Sequence, residues 1–415
     1  MIPKVGLLNL GCPRNLVDSE AILGRLKNQG CQVVDLDKAD IGIVNTCAFV
    51  NDAKKESIDA VLDLIDLKKR GKLKKIIVTG CLVQRYKREL SKQLPEVDAF
   101  VGGPGLNNSK TRFAITPGHY GYLKICESCV NNCSFCVIPK IKGKFFSFPA
   151  GRILERVGQF NKEKISELNI IGQDISGYGL DLYGKRSLAG LLRKIVKKSG
   201  NIGWIRLLYL YPGPMVKELI ELIRVEPKIC RYFDLPIQHI NDRILKLMNR
   251  RTSKKDILEL IRLIRNRLPE AAIRTSLIAG FPSETDKEFK ELLNFIEEAK
   301  FERLGVFLYS QEEGTRAFDL KGQVPEKIKI SRFNALMSSQ QAVSKAVNEK
   351  FLGKEMELLI DEKDKDFYLA RSQYDAPEVD GLVYLKSKKR LKPGDFVKAK
   401  ITDTLEYDLV GEILN

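Results

Sequence analysis

From residue 4 to residue 309, short apolar runs alternate with amphipathic stretches, and that rhythm restricts the chain to folds built from βα units. In the first part, Val5–Leu10, Val33–Leu36, Ile41–Asn45 and Ile76–Thr79 read as strands, while Leu16–Lys27, Ala53–Lys68 and Val83–Gln93 carry helical periodicity. These lengths predict an open parallel α/β sheet domain over residues 1–114. Glycine and proline at Gly102, Gly103, Pro104, Gly105, Pro117 and Gly118 interrupt the pattern and predict a linker.

The alternation restarts with strands expected at Tyr122–Cys126, Leu168–Ile171, Ile205–Tyr211, Phe233–Ile237, Ile273–Ala279 and Leu304–Tyr309. Helical patterns at Leu188–Lys197, Val216–Val225, Lys254–Arg267 and Asp286–Lys300 lie between them. Six βα repeats predict a full or partial TIM-like β/α barrel over residues 115–347, with its chemistry at the C-terminal ends of the strands. A helix over Lys327–Ala346 then leads to a segment of different character, residues 348–415. Its five short runs (Met356–Asp361, Phe367–Arg371, Gly381–Leu385, Asp395–Thr402, Leu409–Leu414) predict a small antiparallel β-barrel.

Nothing in the sequence is apolar enough over about 18 residues to span a membrane, and the N-terminus lacks a signal-peptide pattern. A cytoplasmic, soluble protein with no membrane partner is therefore expected. The net charge of +17 invites an anionic partner. That charge is uneven: residues 348–415 carry 12 Lys+Arg against 15 Asp+Glu, a net of −3, which leaves +20 on the first 347 residues. RNA contact is thus an expectation for the first two domains, and an acidic tail suits a basic protein partner.

Nine cysteines, an odd number, argue against a disulfide framework and for metal ligands or reactive thiols. Cys129, Cys133 and Cys136 form a C-x3-C-x2-C run just after the first expected barrel strand. Three thiolates from one loop can hold three irons of a 4Fe–4S cube and leave the fourth iron open to a small chelating molecule. The competing reading is a zinc site that recruits Cys126 as well, although a zinc ribbon needs about 15–20 residues between its cysteine pairs. Cys126 itself lies on the strand and suits a packed core thiol.

A second constellation is spread through the first domain. Cys12, Cys47 and Cys81 each fall just past the C-terminal end of an expected parallel strand. Those ends share one edge of an open α/β sheet, where ligands gather. A single cysteine there would be an ordinary buried small residue; three at matched positions predict a second cluster. Cys31 and Cys230 have no such placement and read as core or incidental.

The 129–136 spacing at the end of a first barrel strand resembles the signature of radical S-adenosylmethionine (SAM) enzymes. With the second triad and the domain order, the whole chain resembles the methylthiotransferase family. The resemblance implies two 4Fe–4S clusters, one on Cys129, Cys133 and Cys136 and an auxiliary, sulfur-delivering one on Cys12, Cys47 and Cys81. It also implies SAM as radical source and methyl donor, a C-terminal TRAM-type barrel, and an electron donor and a sulfur source as partners. Residues 11–20 (GCPRNLVDSE), 173–179 (QDISGYG), 235–239 (LPIQH) and 373–381 (QYDAPEVDG) look like the branch that methylthiolates the β-carbon of an aspartate in small-subunit ribosomal protein twelve. The alternative is the tRNA-modifying branch, whose members usually carry Gln where this chain has Pro13 and lack the Ala376-Pro377-Glu378 run. Cys126, Ser128, Phe146 and Phe148 depart from the family pattern, and the last two remove cations near the cluster loop.

By the same resemblance Gly172 and Gln173, at the end of the second barrel strand, are candidates to receive the SAM amino group, against an ordinary strand-to-loop turn. Gln238 and His239 end the fourth strand, and His239 reads more readily as a structural histidine than as a substrate contact. Gly280, with Phe281 and Pro282, ends the fifth strand and is a candidate to pack on the adenosine. The basic run 68–75 reads as a solvated turn, and His119 has no partner recognisable in sequence. Radical chemistry needs a dry site, so the N-terminal domain and the tail are expected to close the barrel mouth.

Overall fold

The computed structural model describes residues 2–102, 111–387 and 389–414, so Gly103, Pro104 and Gly105 of the expected linker lie outside the described residues. The chain divides into two compact units. The first comprises Met1–Pro117, Glu127–Phe146 and Glu312–Thr315; the second comprises Gly118–Cys126, Ser147–Gln311 and Arg316–Asn415.

In the first unit β1 (Lys4–Asn9), α1 (Pro13–Asn28), β2 (Gln32–Val33), β3 (Ile41–Thr46), α2 (Asn51–Lys69), β4 (Lys75–Gly80), α3 (Cys81–Gln93) and β5 (Ala99–Val101) follow one another. All four pairings are parallel, in the order β2-β1-β3-β4-β5. That order reverses direction between β1 and β3, and such a switch point opens a crevice beyond the strand ends. Helix α2 buries Val61, Leu64 and Ile65 at helical spacing against Val44, Ile76 and Val78 of the sheet. The expected strand at Val33–Leu36 is only the two-residue edge β2, followed by a 3-10 turn over Leu36–Lys38. Leu36 folds back over Gly6, where a Cβ would stand 2.7 Å from the Leu36 Cα, and the chain so leaves the sheet edge.

The second unit opens with β6 (Tyr120–Lys124). The pair β7 (Cys126–Glu127) and β8 (Phe146–Ser147) brackets the loop that carries α4 (Ile138–Lys142). Then come α5 (Ala150–Glu163), β9 (Glu167–Ile171), α6 (Leu180–Tyr183), α7 (Leu188–Lys198), β10 (Trp204–Leu207), α8 (Met215–Val225), β11 (Tyr232–Asp234), α9 (Asp242–Leu247), α10 (Lys254–Arg267), β12 (Ala272–Ala279), α11 (Asp286–Ala299), β13 (Arg303–Leu308) and α12 (Glu326–Asn348). The parallel strands form two sheets, β10-β9-β6 and β11-β12-β13, linked by a parallel bridge from Ile205 to Ile229. Among the described residues no pairing joins β13 to β6, so the β/α barrel is partial.

The tail folds as β14 (Glu355–Asp364), β15 (Phe367–Ser372), β16 (Val383–Lys386), β17 (Phe396–Thr404) and β18 (Leu409–Ile413), closed in the order β14-β15-β16-β18-β17. The expectation of a wholly antiparallel barrel needs one correction, because β16 and β18 run parallel. Alternation identifies a strand but not its partner. Here β17 crosses to pair with β14, so β18 returns beside β16 in the same direction.

A larger correction concerns what the tail covers. Ser166, just ahead of β9, donates its hydroxyl to Gly394 O at 2.7 Å, and Phe396 packs edge-on against Trp204 at the start of β10. Tyr120 donates to Glu378 at 2.7 Å, Tyr232 donates to Asp380, and Arg303 binds Asp375. These partners sit at the starts of β6, β9, β10, β11 and β13. The tail therefore seals the N-terminal ends of the barrel strands, the end opposite the mouth it was expected to close. His119 gains a partner in the same interface, its Nε2 lying 2.8 Å from Asp361.

Candidate active site

In the first unit the level register Asn9↔Asn45↔Thr79 brings the ends of β1, β3 and β4 side by side. Cys12, Cys47 and Cys81 follow within three residues of those ends. One side chain ties the three together. Asn15 donates its amide to Leu10 O and Thr46 O, each at 3.0 Å, and its Oδ1 receives the Cys81 thiol at 3.7 Å. Asn45 donates to Asn15 O at 2.8 Å, and Ser57 of α2 brackets Cys47 through both its N–H and its carbonyl at 2.9 Å. Gly11, at φ 89°, lets the chain turn here: a Cβ would lie 3.1 Å from the Cys47 sulfur. Asn15 was not anticipated from sequence; its place as the fifth residue of GCPRN is the only signal that could have marked it.

The three thiols sense one another. Burial works against the Cys12 thiolate, but the Arg14 guanidinium, 3.3 Å from the sulfur, and the N–H groups of Asn15 and Arg14 hold it below its ordinary value. Burial raises Cys47 and pushes Cys81 up to about 12, with the neighbouring cysteines adding to both shifts. A bound iron would reverse this, since a coordinating thiol is deprotonated outright.

The loop of Cys129, Cys133 and Cys136 belongs to the same unit. Ser128 takes φ 63° and donates its hydroxyl to Gly143 O at 2.6 Å, which closes the loop at its base. The Asn131 N–H points at the Cys129 sulfur at 3.3 Å, and Cys136 donates its N–H to Cys133 O. Burial and the neighbouring Cys133 push Cys136 up to about 12, against the N–H of Ile138. Val137 and Ile141 of the loop are buried in the same core as Cys81, Leu82 and Val83.

None of the nine cysteines is in a disulfide among the described residues. Among the same residues no three His, Cys, Asp or Glu side chains stand as ligands of a single metal ion. A four-iron cube asks for something different, because it takes its thiolates at separate corners rather than around one atom. Each triad offers the soft all-sulfur donor set such a cube prefers, with N–H donors or a guanidinium aimed at its sulfurs. The residues fit the group.

In the second unit the mouth of the partial barrel carries Tyr209, Gln238 and Ser283 with φ of 65°, 75° and 66°, one after each of β10, β11 and β12. Left-handed backbone at non-glycine residues is costly and concentrates at ligand sites. Gln238 is half-buried, with its N–H given to Ser276 O and its carbonyl receiving the Ile278 N–H. Gly172 faces Cys126: a Cβ there would lie 2.5 Å from the buried Cys126 sulfur, so a packing reason for this glycine stands beside the ligand one. Gln173 next to it is half-buried. Gly280 gives its N–H to Glu284 at 2.7 Å, and Phe281 is fully buried against Tyr309. Glu284, unremarked in the sequence, thus fixes the Gly280 turn. His239 is fully buried, its Nδ1 accepts the Asn241 N–H, and burial lowers it to about 4, so it is neutral and structural in character. The Phe148 departure is partly made good, since the Arg152 guanidinium lies 4.8 Å from its ring. A cavity of about 270 Å³ lined by Arg274, Arg303, Gln340 and Asp380 sits at the strand starts, remote from the mouth.

The ion pairs under the barrel change the meaning of the tail's charge. Asp361, Asp375, Glu378 and Asp380 are turned inward onto His119, Arg371, Arg303, Tyr120, Tyr232 and Arg274. Setting these four acids and the buried Arg371 aside leaves 11 acidic and 11 basic residues in the tail. The inference from an acidic tail to a basic partner does not survive.

Residues 123–296 match the Radical SAM superfamily, residues 4–102 match Uncharacterized protein family UPF0004, and residues 352–414 match the TRAM domain. The chain is thus a radical SAM protein, and an iron–sulfur cluster and SAM are the cofactors of that class. The ribosomal protein uS12 methylthiotransferases RimO of Clostridioides difficile (strain 630) and Thermoanaerobacter sp. (strain X514) are 44% and 45% identical to it, each over 99% of both chains. The enzyme of the same name from Geobacter sulfurreducens is 44% identical over 99% of both. The chain belongs to the ribosomal protein uS12 methylthiotransferase family. Among solved structures, the radical SAM methyltransferase TsrM of Kitasatospora setae superposes with a TM-score of 0.57 at 14% identity, over 88% of this chain and 79% of that one. The cobalamin-dependent radical SAM enzyme OxsB gives 0.50 at 13% identity, over 83% and 56%. Both show the fold alone. No described helix is long and apolar enough to cross a membrane.

Proposed function

We propose that this chain places a methylthio group on the β-carbon of an aspartate in small-subunit ribosomal protein twelve, using two 4Fe–4S clusters. Cys129, Cys133 and Cys136 hold the SAM-binding cluster, and Cys12, Cys47 and Cys81 hold the auxiliary one. The observation that carries the two-cluster reading is the convergence of three cysteines, remote in sequence, around Asn15 at the sheet's switch point. When bound, the first cluster and SAM supply the one-electron chemistry that removes a hydrogen, and the second cluster supplies sulfur. The protein's own part is positional. Asn15, Ser57 and Gly11 hold one triad, while Ser128 and Asn131 shape the other loop. Gly172, Gln173, Gln238 and Gly280 form the SAM-binding rim, supported by the left-handed turns among them. Glu284 locks the Gly280 turn through two N–H donors.

The modules are residues 1–114, 115–347 and 348–415, acting in the cytoplasm with an electron donor and a sulfur source. The excess of +20 on the first 347 residues favours contact with RNA, as ribosomal RNA around the substrate or, in the alternative reading, as a tRNA substrate. Intact mass spectrometry of ribosomal proteins from cells with and without the gene, with tRNA nucleosides alongside, separates the two. A methylthio increment on protein twelve that vanishes with the gene is expected. Loss of a methylthioadenosine from tRNA instead would overturn the substrate. In reconstituted, dithionite-reduced enzyme, Cys129→Ala should abolish 5′-deoxyadenosine formation, while Cys47→Ala should spare it and stop sulfur insertion.

A further inference from the structure

The cavity of about 270 Å³ at the strand starts lies wholly within the second unit, bordered by β12, β13, α12 and the tail. Gln340 and Ser344, one helical turn apart on α12, line it and are 1% and 0% exposed. Gln340 gives its amide N–H to Phe301 O at 3.0 Å, which fixes the nitrogen on that side. Among the described residues its Oε1 then receives no donor, and the Ser344 hydroxyl has no partner of any kind. A buried helical serine can bond back to the carbonyl four residues before it; Ser344 does not. Native interiors rarely leave such groups unpaired, and the volume is far more than one bridging water needs.

The walls decide the sign of the charge that fits. Arg274 and Arg303 line the cavity, but carboxylates already hold them: Arg274 lies 2.9 Å from Asp234 and 3.3 Å from Asp380, and Arg303 binds Asp375. The remaining Arg303 amino group goes to Glu302 O and Asn348. Asp408 is different. Its Oδ1 accepts the Leu382 N–H at 2.8 Å, and it meets no cation among the described residues. Gly381 lets that wall approach, since a Cβ there would collide with the Tyr407 carbonyl.

Three lining carboxylates (Glu302, Asp380, Asp408) face two guanidiniums. Adding their partners Asp234, Asp375 and Arg265 gives five acids to three bases, a net of −2. An anion would meet that charge, whereas a cation with N–H donors suits Gln340 Oε1, the Ser344 oxygen and Asp408 together. Val379 and Tyr407, 55% and 39% exposed, add apolar surface on which an alkyl stem can lie.

We propose that this cavity binds a small organic cation from solution, an alkylguanidinium or alkylammonium, with Gln340 and Ser344 accepting its N–H donors and Asp408 supplying the counter-charge. The cavity is at the opposite ends of the strands from Gly172, Gln173, Gln238 and Gly280, so the proposal holds whatever substrate the mouth takes.

Isothermal titration calorimetry on the anaerobically reconstituted full chain, with butylguanidinium as probe, tests this. One saturable site per chain is expected. Butylurea, of similar shape but uncharged, should bind about tenfold more weakly or worse, and inorganic phosphate should not bind. Asp408→Asn keeps the acceptor for the Leu382 N–H and removes the charge; it should weaken the probe about tenfold, and Gln340→Leu by about as much. Should Gln340→Leu fail to fold, Asp408→Asn decides alone. An absence of saturable binding would overturn the proposal and leave water as the partner of the two groups on α12. Equal affinity in Asp408→Asn and the parent would also overturn it, as would equal affinity for butylurea or binding of phosphate in place of the cation.

Discussion

Replacing Asp375 by Asn should destabilise the barrel from below without touching substrate recognition. Arg303 is 7% exposed and Asp375 1%, and the guanidinium Nε donates to Asp375 Oδ1 at 2.8 Å while Nη2 donates to the same oxygen. Ser372 donates its hydroxyl to the other carboxylate oxygen at 2.5 Å. At an effective dielectric of about 20, unit charges this close attract by roughly 6 kcal/mol. Breaking a buried pair by removing one partner costs about 3–5 kcal/mol in practice, because the remaining charge stays buried without a counter-ion. In a unit of this size that should lower the thermal midpoint by about 10 °C, followed by circular dichroism under anaerobic conditions at a fixed scan rate. Arg303→Met combined with Asp375→Leu should recover most of the loss. Binding of ribosomal protein twelve, measured well below the midpoint, should be unchanged in Asp375→Asn. An unchanged midpoint with weakened substrate binding would refute the inward role of residues 373–381 and restore the view that the tail's acids face the substrate.

Two further outcomes are expected. Burial pushes Glu284 from its ordinary 4.5 up to about 7, against the pull of Arg332 and the N–H groups of Gly280 and Phe281. A carboxyl that holds its proton more tightly when folded contributes stability that is fully present below pH 4.5 and lost as pH rises through 7. Urea midpoints between pH 5 and pH 8 (a range of about three units spanning that loss) should therefore fall more steeply in the parent than in Glu284→Gln, and equal slopes would contradict the assignment. Gly172→Ala would drive a Cβ to 2.5 Å from the Cys126 sulfur and should cost about 1–3 kcal/mol by overpacking. Adding Cys126→Ala should relieve it; if the double variant is no more stable than Gly172→Ala alone, the steric reading of this glycine is wrong.

Periodicity alone determined the βα order, eight helices, Pro13–Asn28 and Glu326–Asn348 among them, and the five strands of the tail, but not the helices Ile138–Lys142, Ala150–Glu163, Leu180–Tyr183 and Asp242–Leu247, because a half-buried element must repeat its apolar residues at its own period. The spacing of Cys129, Cys133 and Cys136 is likewise local chemistry, complete within one loop. The matched offsets of Cys12, Cys47 and Cys81 from their strands pointed to a shared edge, since parallel strands of one sheet end on the same side. What brought the three together was the register Asn9↔Asn45↔Thr79 and the side chain of Asn15, neither of which leaves a mark in composition. The tail shows the limit most sharply. Its acids counted as net charge in the sequence, and only the tertiary structure set Asp361, Asp375, Glu378 and Asp380 against buried partners under the barrel. A charge is a property of a residue, but whether it faces water or a guanidinium depends on residues as far as 258 positions away, and no local pattern encodes that distance.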